Sequence, residues 1–305
     1  MTGKSLAERA FEGRHKFLIA FAAGLVSLSL AGCATATAEG LATSSLPAPL
    51  ATCANEVAAA WREARATTEV GCNWAAVVTI EDARKVQAAA LSMHFGAKPL
   101  TGYKMTFTSD GNTVGEYRDG MLVASGQSIS KAAAWQALVE ADMLFRVKGS
   151  GINQARTLEE MLGHIDAVLP FVEVSNPIVR AGGGRTTVNW TSTNASVGSG
   201  AMGEPFPIDL SRPEAMRKFM AMKVTLVDPS GVTVRESGVA ADFLPGLVVL
   251  RDEVLARGQR LKAGDLLSLG TFGRPLVGDV PVGAYTVSYH DLADSTLSAM
   301  AVIAP

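Results

Sequence analysis

The chain has 305 residues, a formal net charge of −2 and 48% hydrophobic residues, a composition that buries a sizeable core and is not that of a disordered chain. Its 27 basic residues are matched by 29 acidic ones, so the basic excess of a nucleic-acid binder is missing and no nucleic acid is expected as a partner.

The first predicted element is a targeting segment. Lys4, Arg9, Arg14 and Lys16 precede an apolar run over 17–30, which is short for a membrane span of about 20 residues. The run ends in Leu30-Ala31-Gly32-Cys33, which resembles the lipobox of bacterial lipoproteins, acylated and cleaved at its Cys; a plain signal peptide is the alternative. The expected organisation is a signal peptide over 1–32, then Cys33 as lipidation site with a flexible tether over 33–50, and one domain over 51–305. The tether reading rests on the Ala, Thr, Ser, Gly and Pro of 34–50. The implied location is outside the cytoplasm on a membrane-bound lipid anchor, with Ala34 after the Cys pointing to the outer membrane, facing the periplasm.

In the domain, a helix is expected over 56–66, flanked by Cys53 and Cys72. An oxidising compartment permits those two to pair, two buried thiols being the alternative. A second helix is expected over 80–95, with Thr79 as its cap and Glu81 and Asp82 at its positive end. Strands follow over 103–108 and 121–124, a helix over 157–167 and a strand over 168–174. The Gly-, Ser-, Thr- and Asn-rich stretch 181–203 lacks the framing of a phosphate cradle and reads as a flexible loop over a pocket. A hairpin across Asp228-Pro229-Ser230-Gly231, a helix over 247–257 and strands over 261–271 and 284–289 complete the chain. Many strands with few helices and no regular βαβ repeat imply an α+β domain around a rolled or barrel-like sheet.

There is no Gly-x-Ser-x-Gly elbow, and His94, His164 and His290 stand alone. The acids say more. Glu140 and Asp142 alternate through Val139-Glu-Ala-Asp-Met-Leu-Phe145, so a strand would put both on one face with Met143 and Phe145 elsewhere. Two neighbouring acids in an apolar setting repel and resist desolvation, and a divalent cation relieves both costs. Glu173, in the otherwise apolar stretch 168–174, also calls for a partner. The alternative is that Glu140 and Asp142 end a helix in water.

The order Gln87, Gly102-Tyr-Lys104, Thr108-Ser109, Met121 before Ser125-Gly126, Glu140-Ala-Asp142, Thr157-Leu-Glu-Glu, Asp166-Ala-Val-Leu-Pro170, Glu173, Asn194-Ala-Ser196, Leu261-Lys-Ala-Gly-Asp265 and Gly270-Thr271 resembles the fumarylacetoacetate hydrolase superfamily. Within it the pattern is similar to the 2-keto-4-pentenoate hydratase and 4-oxalocrotonate decarboxylase family. The resemblance implies a fumarylacetoacetate-hydrolase-like mixed β-sheet with flanking helices. It implies Mg2+ or Mn2+ held by Glu140, Asp142 and Glu173, with Asp142 standing where the family carries Glu. Lys104 is then the catalytic residue, and Ser109, Asn194, Ser196 and Thr271 bind substrate. The implied activity is a lyase or hydratase acting on a small 2-oxo acid; the alternative is an inactive lipoprotein of the same fold that binds a small acid or a partner protein. Family members usually form homo-oligomers, and the tether leaves that open.

Overall fold

The computed structural model describes residues 46–180 and 182–305. The targeting segment, Cys33 and the tether up to residue 45 lie outside the described residues. Among the described residues no helix is long and apolar enough to cross a membrane.

Helix α1 (Ala48–Arg62) starts ahead of the expected domain boundary at residue 51 and well ahead of the helix expected over 56–66. Leu50, Cys53, Ala54, Val57, Ala58 and Trp61 are all buried. They recur at three- and four-residue spacing, so the apolar stripe carries the helix upstream. Pro49 falls in the first turn, where its missing N–H breaks no helical bond. Helix α2 (Ile80–Phe95) has the expected bounds for a local reason: Thr79 accepts from the Asp82 amide, and the Asp82 carboxylate accepts from the Thr79 amide. The two helices share one apolar cluster that includes Trp61, Trp74, Val86 and Leu91. Cys53 and Cys72 are joined in a disulfide with Cα atoms 4.5 Å apart. Cys53 lies inside α1 rather than ahead of it.

Strands β1 (Leu100–Phe107) and β2 (Asn112–Arg118) form a hairpin, followed by short β3 (Leu122–Ala124) and β4 (Ser128–Ser130). Next come β5 (Leu138–Val147), the single-turn α3 (Leu158–Leu162) and β6 (Ile165–Ser175). The helix expected over 157–167 is therefore only its first turn. Gly163 caps it, and from Ile165 onward the chain pairs with β5 along its whole length, a buried ladder that overrides local helical spacing. The stretch 181–203 is not one loop: it holds α4 (Thr187–Ser192) and β7 (Ser199–Met202).

Then come β8 (Phe206–Pro207), α5 (Pro213–Ala221) and the β9 (Lys223–Val227) and β10 (Thr233–Gly238) hairpin. The chain closes with α6 (Gly246–Ala256), β11 (Leu266–Ser268), β12 (Gly283–His290) and β13 (Leu297–Ala304). The strand expected over 261–271 shrinks to three residues because Gly264 and Gly270, both at positive φ, turn the chain on either side of it.

An eight-stranded sheet runs β2-β1-β11-β5-β6-β7-β3 with β8 paired to β6, and a five-stranded sheet runs β10-β9-β12-β13-β4. The larger sheet curls into a half-barrel. Val139, Ala141, Met143 and Phe145 of β5 enter the main core together with Val287 and Tyr289 of β12 and Ala299 of β13. By strand alternation Glu140, Asp142 and Leu144 point to the opposite face. Tyr103 and Met105 of β1 also belong to the main core, which leaves Lys104 on the face of the acids.

Candidate metal and substrate site

Glu140 and Glu173 stand directly opposite one another in the β5–β6 register, where side chains of facing residues meet. Glu140, Asp142 and Glu173 are buried, and each offers a carboxylate oxygen within 4.8 Å of the others. Lys104, from β1, enters the same cluster. Its Nζ lies 3.1 Å from Glu140 Oε2, 2.5 Å from Glu173 Oε2 and 3.2 Å from Ser175 Oγ. Lys104 Nζ meets Glu173 Oε2 in a close ion pair, while Glu173 Oε1 is buried with no hydrogen-bond partner. Asp142 is held differently: Oδ1 accepts from the Met143 amide at 2.6 Å and Oδ2 from the Ser268 hydroxyl. Ser175 donates to Glu140 Oε1, and the Tyr289 hydroxyl, from the second sheet, donates to the Asp142 carbonyl.

The electrostatics follow from burial. Desolvation pushes the Asp142 carboxyl above the usual carboxylate range, against the pull of Lys104 and the Ser268 hydrogen bond. Desolvation also raises Glu173, against Lys104 and with the help of Glu140 and Asp142. For Lys104 burial acts downward, but Glu140, Glu173 and Asp142 together outweigh it and hold the ammonium above the ordinary lysine range. Three carboxylates against one ammonium leave two negative charges uncompensated when all are ionised.

These residues fit a divalent cation. Hard cations bind oxygen at roughly 2.0–2.6 Å, so ligand atoms on opposite sides of one ion lie about 4–5 Å apart, the spread found here. Glu173 Oε1, buried and without a hydrogen-bond partner, is the kind of acceptor a cation satisfies.

Lys104 and Glu140 border an open cleft of about 660 Å³; Asp142 and Glu173, fully buried, lie outside its lining. Ser196 and Thr271 line it. Ser196 sits at the end of Asn194-Ala195-Ser196, three successive non-glycine residues in the left-handed region, with φ of 60°, 54° and 64°. The turn is held from outside: Thr106 Oγ1 donates to the Ala195 carbonyl, and a Cβ on Gly115 of β2 would meet the Asn194 carbonyl oxygen at 2.4 Å. Such backbone conformations persist only where neighbours over-determine them. Asn194 itself does not line this cleft. Its Oδ1 accepts from Gln87 Nε2 and the Glu116 amide, both at 2.8 Å, and its Nδ2 donates to the Glu116 carbonyl, so it positions the turn that carries Ser196. Ser109 is also outside the lining residues and bonds the Arg185 carbonyl. Thr271 Oγ1 donates to the Ala141 carbonyl, between the two acids of β5. Ser175, Ser268, Tyr289, Arg185 and Trp190 were not singled out for the site by the sequence reading. Ser175 alone carries a local signal, as it lies two residues from Glu173 on the same strand face.

No protein-family profile matches the chain, and no curated protein matches it significantly. A structure of 4-oxalocrotonate decarboxylase from Pseudomonas putida G7, complexed with magnesium and adipate, matches with a TM-score of 0.68 at 21% identity, covering 84% of this chain and 97% of that one. The fold is that of 4-oxalocrotonate decarboxylase. A second structure of that decarboxylase, complexed with calcium and acetate, gives 0.67 at 21% identity over 84% and 96%. A fumarylpyruvate hydrolase from Pseudomonas aeruginosa, in complex with Mn2+ and pyruvate, is more distant, with a TM-score of 0.45 at 14% identity over 68% and 91%. The expected fumarylacetoacetate-hydrolase-like architecture, a curled mixed sheet with flanking helices, is therefore borne out.

Proposed function

We propose that this protein is a metal-dependent lyase or hydratase acting on a small 2-oxo acid such as a 2-keto-4-pentenoate-like compound, by hydration, decarboxylation or C–C cleavage. The observation that carries the reading is the buried Glu140–Asp142–Glu173 cluster beside Lys104 at the edge of an open cleft. The solved decarboxylase of like fold is complexed with magnesium and adipate, which supports a divalent cation such as magnesium and a carboxylate-bearing ligand.

When bound, the cation supplies Lewis-acid polarisation of the keto oxygen. Glu140, Asp142 and Glu173 hold it, and Ser268 and Ser175 orient Asp142 and Glu140 through their hydroxyls. Lys104 Nζ, already on this face, neutralises the acid's carboxylate or holds a proton for a carbon of the substrate. Ser196 and Thr271 offer hydroxyls in the same cleft to fix the orientation of the acid.

A second reading, a binder without turnover, draws on Lys104: its ammonium lies against both Glu140 and Glu173 and offsets part of their charge. One experiment decides between them. Magnesium and manganese are titrated calorimetrically into the protein, and consumption of 2-oxo acids is followed in the ultraviolet. Metal binding with turnover supports the enzyme, metal binding without turnover supports the binder, and absence of metal binding refutes the catalytic reading.

The proposal extends to location. Cys33 is acylated after export and the domain faces the periplasm from a membrane, as the basic start, apolar run and Leu30-Ala31-Gly32-Cys33 support. Cys33→Ser should abolish incorporation of a fatty-acid analogue; unchanged labelling would refute the anchor.

A further inference from the structure

The cleft is larger than a small 2-oxo acid requires. A five-carbon acid of this kind displaces on the order of five waters, about 150 Å³ at about 30 Å³ each, against a cleft of about 660 Å³. The head of the acid belongs at Lys104 and Glu140, so the unused volume lies beyond its tail.

That volume has aromatic walls. Phe107, at the end of β1, lines the cleft and is 56% exposed, a large apolar side chain left open at the mouth of a site. Phe243 lines it next to Leu269 and is braced by Phe272, with ring centroids 4.5 Å apart. Trp190 of α4 lines it as well, and the Arg185 guanidinium is stacked over its ring at 4.7 Å from the centroid. Along β1, the last residue, Phe107, lies three positions beyond Lys104, about 10 Å at ~3.3 Å per residue; alternation starts the two side chains on opposite faces, yet both line the cleft. A tail of a few bonds ending in a ring spans that distance.

We propose that the site takes a 2-oxo acid with an aromatic tail, the ring packing against Trp190 and Phe243 and covering Phe107. The inference rests on the 2-oxo acid reading and adds the nature of the tail. Trp190 is the specificity-determining residue, because its indole adds ring-on-ring attraction to plain area burial.

The test is calorimetric binding of two probe acids to the magnesium-supplied full domain: 2-oxo-4-phenylbutanoate and 2-oxopentanoate. The phenyl acid should bind at least about tenfold tighter, from an aromatic pair and the apolar area it buries. Trp190→Ala should bring the ratio below about threefold, and Trp190→Phe, which keeps a ring, should retain most of it. Circular dichroism checks that both variants fold, and Phe243→Leu is a second probe of the same wall, expected to lower the ratio. Equal affinities for the two acids, or a ratio untouched by both Trp190→Ala and Phe243→Leu, would overturn the aromatic tail while leaving the 2-oxo acid reading intact. If neither acid binds with magnesium present, the 2-oxo acid reading fails first and this inference fails with it.

Discussion

Glu173→Gln removes one charge from the acid cluster and keeps the shape of the side chain. In the absence of metal the variant should melt no lower than wild type, because burial raises the Glu173 carboxyl and makes its ionised form costly in the fold. The difference appears when cation is added. At a magnesium concentration one hundredfold above its Kd for wild type, binding to the folded state alone contributes about 2.7 kcal/mol. For a domain of this size that is a rise in Tm of about 5–10 °C, at roughly 2–4 °C per kcal/mol. Replacing even a residue behind a ligand weakens metal sites about 10–100-fold, so losing a charged ligand with a buried oxygen that has no hydrogen-bond partner should cost at least the larger figure. At the same magnesium concentration the variant then gains only roughly 0.4 kcal/mol, a shift of about 1 °C. Differential scanning calorimetry with chelator, then with magnesium or manganese, reads both numbers. A shift as large in the variant as in wild type, or no shift in wild type with either cation, would refute the assignment of these acids as ligands.

Three further outcomes follow from the same geometry. Lys104→Ala leaves three buried carboxylates without their ammonium, so magnesium affinity by calorimetry should rise severalfold while turnover falls at least about 100-fold; weaker metal binding would show that Lys104 supports the ion rather than competing with it. Asp142 and Glu173 are raised in the fold, so the metal-free protein holds their contribution at acid pH and loses it as pH rises from about 4 through their raised values toward neutrality. Saturating magnesium should reverse that slope, since ligands must shed protons to bind metal, and melting curves from about pH 5 to 8 measure it; a flat profile without metal would contradict the assigned directions. Cys53→Ser opens a loop with a sequence separation of 19, worth about 3 kcal/mol by loop entropy, and denaturant unfolding with and without reductant should show this loss in wild type and no response to reductant in the variant.

The sequence was most legible where the cause is local. Thr79 and Asp82 cap one another within four residues, and α2 begins where they say. Glu140 and Asp142 alternate as on a strand and Glu173 interrupts an apolar stretch, so each marks itself as an acid needing a partner, while their grouping around one cation comes from the family resemblance. The misreadings come from partners distant in the chain. The helical spacing of 157–167 is real, yet pairing with β5 claims everything after Gly163. Nothing near Asn194 reveals that Glu116 and Gln87, 78 and 107 residues away, take up its amide. Ser268, 126 residues from Asp142, and Trp190, on a six-residue helix inside a Gly- and Ser-rich stretch, likewise carry no local mark of their place beside the cleft.

The register that sets Glu140 opposite Glu173 also bears on how the sheet assembles. A slip of one residue in β5 would turn Glu140 and Asp142 toward Val287, Tyr289 and Ala299, into a core with no lysine to meet them, and would lift Val139 and Ala141 into the cleft. Each uncompensated charge in such surroundings costs several kcal/mol. The acids are expensive where they are, but they are more expensive in every odd-numbered misalignment, so the side chains that make the site also penalise mispairing while the sheet forms.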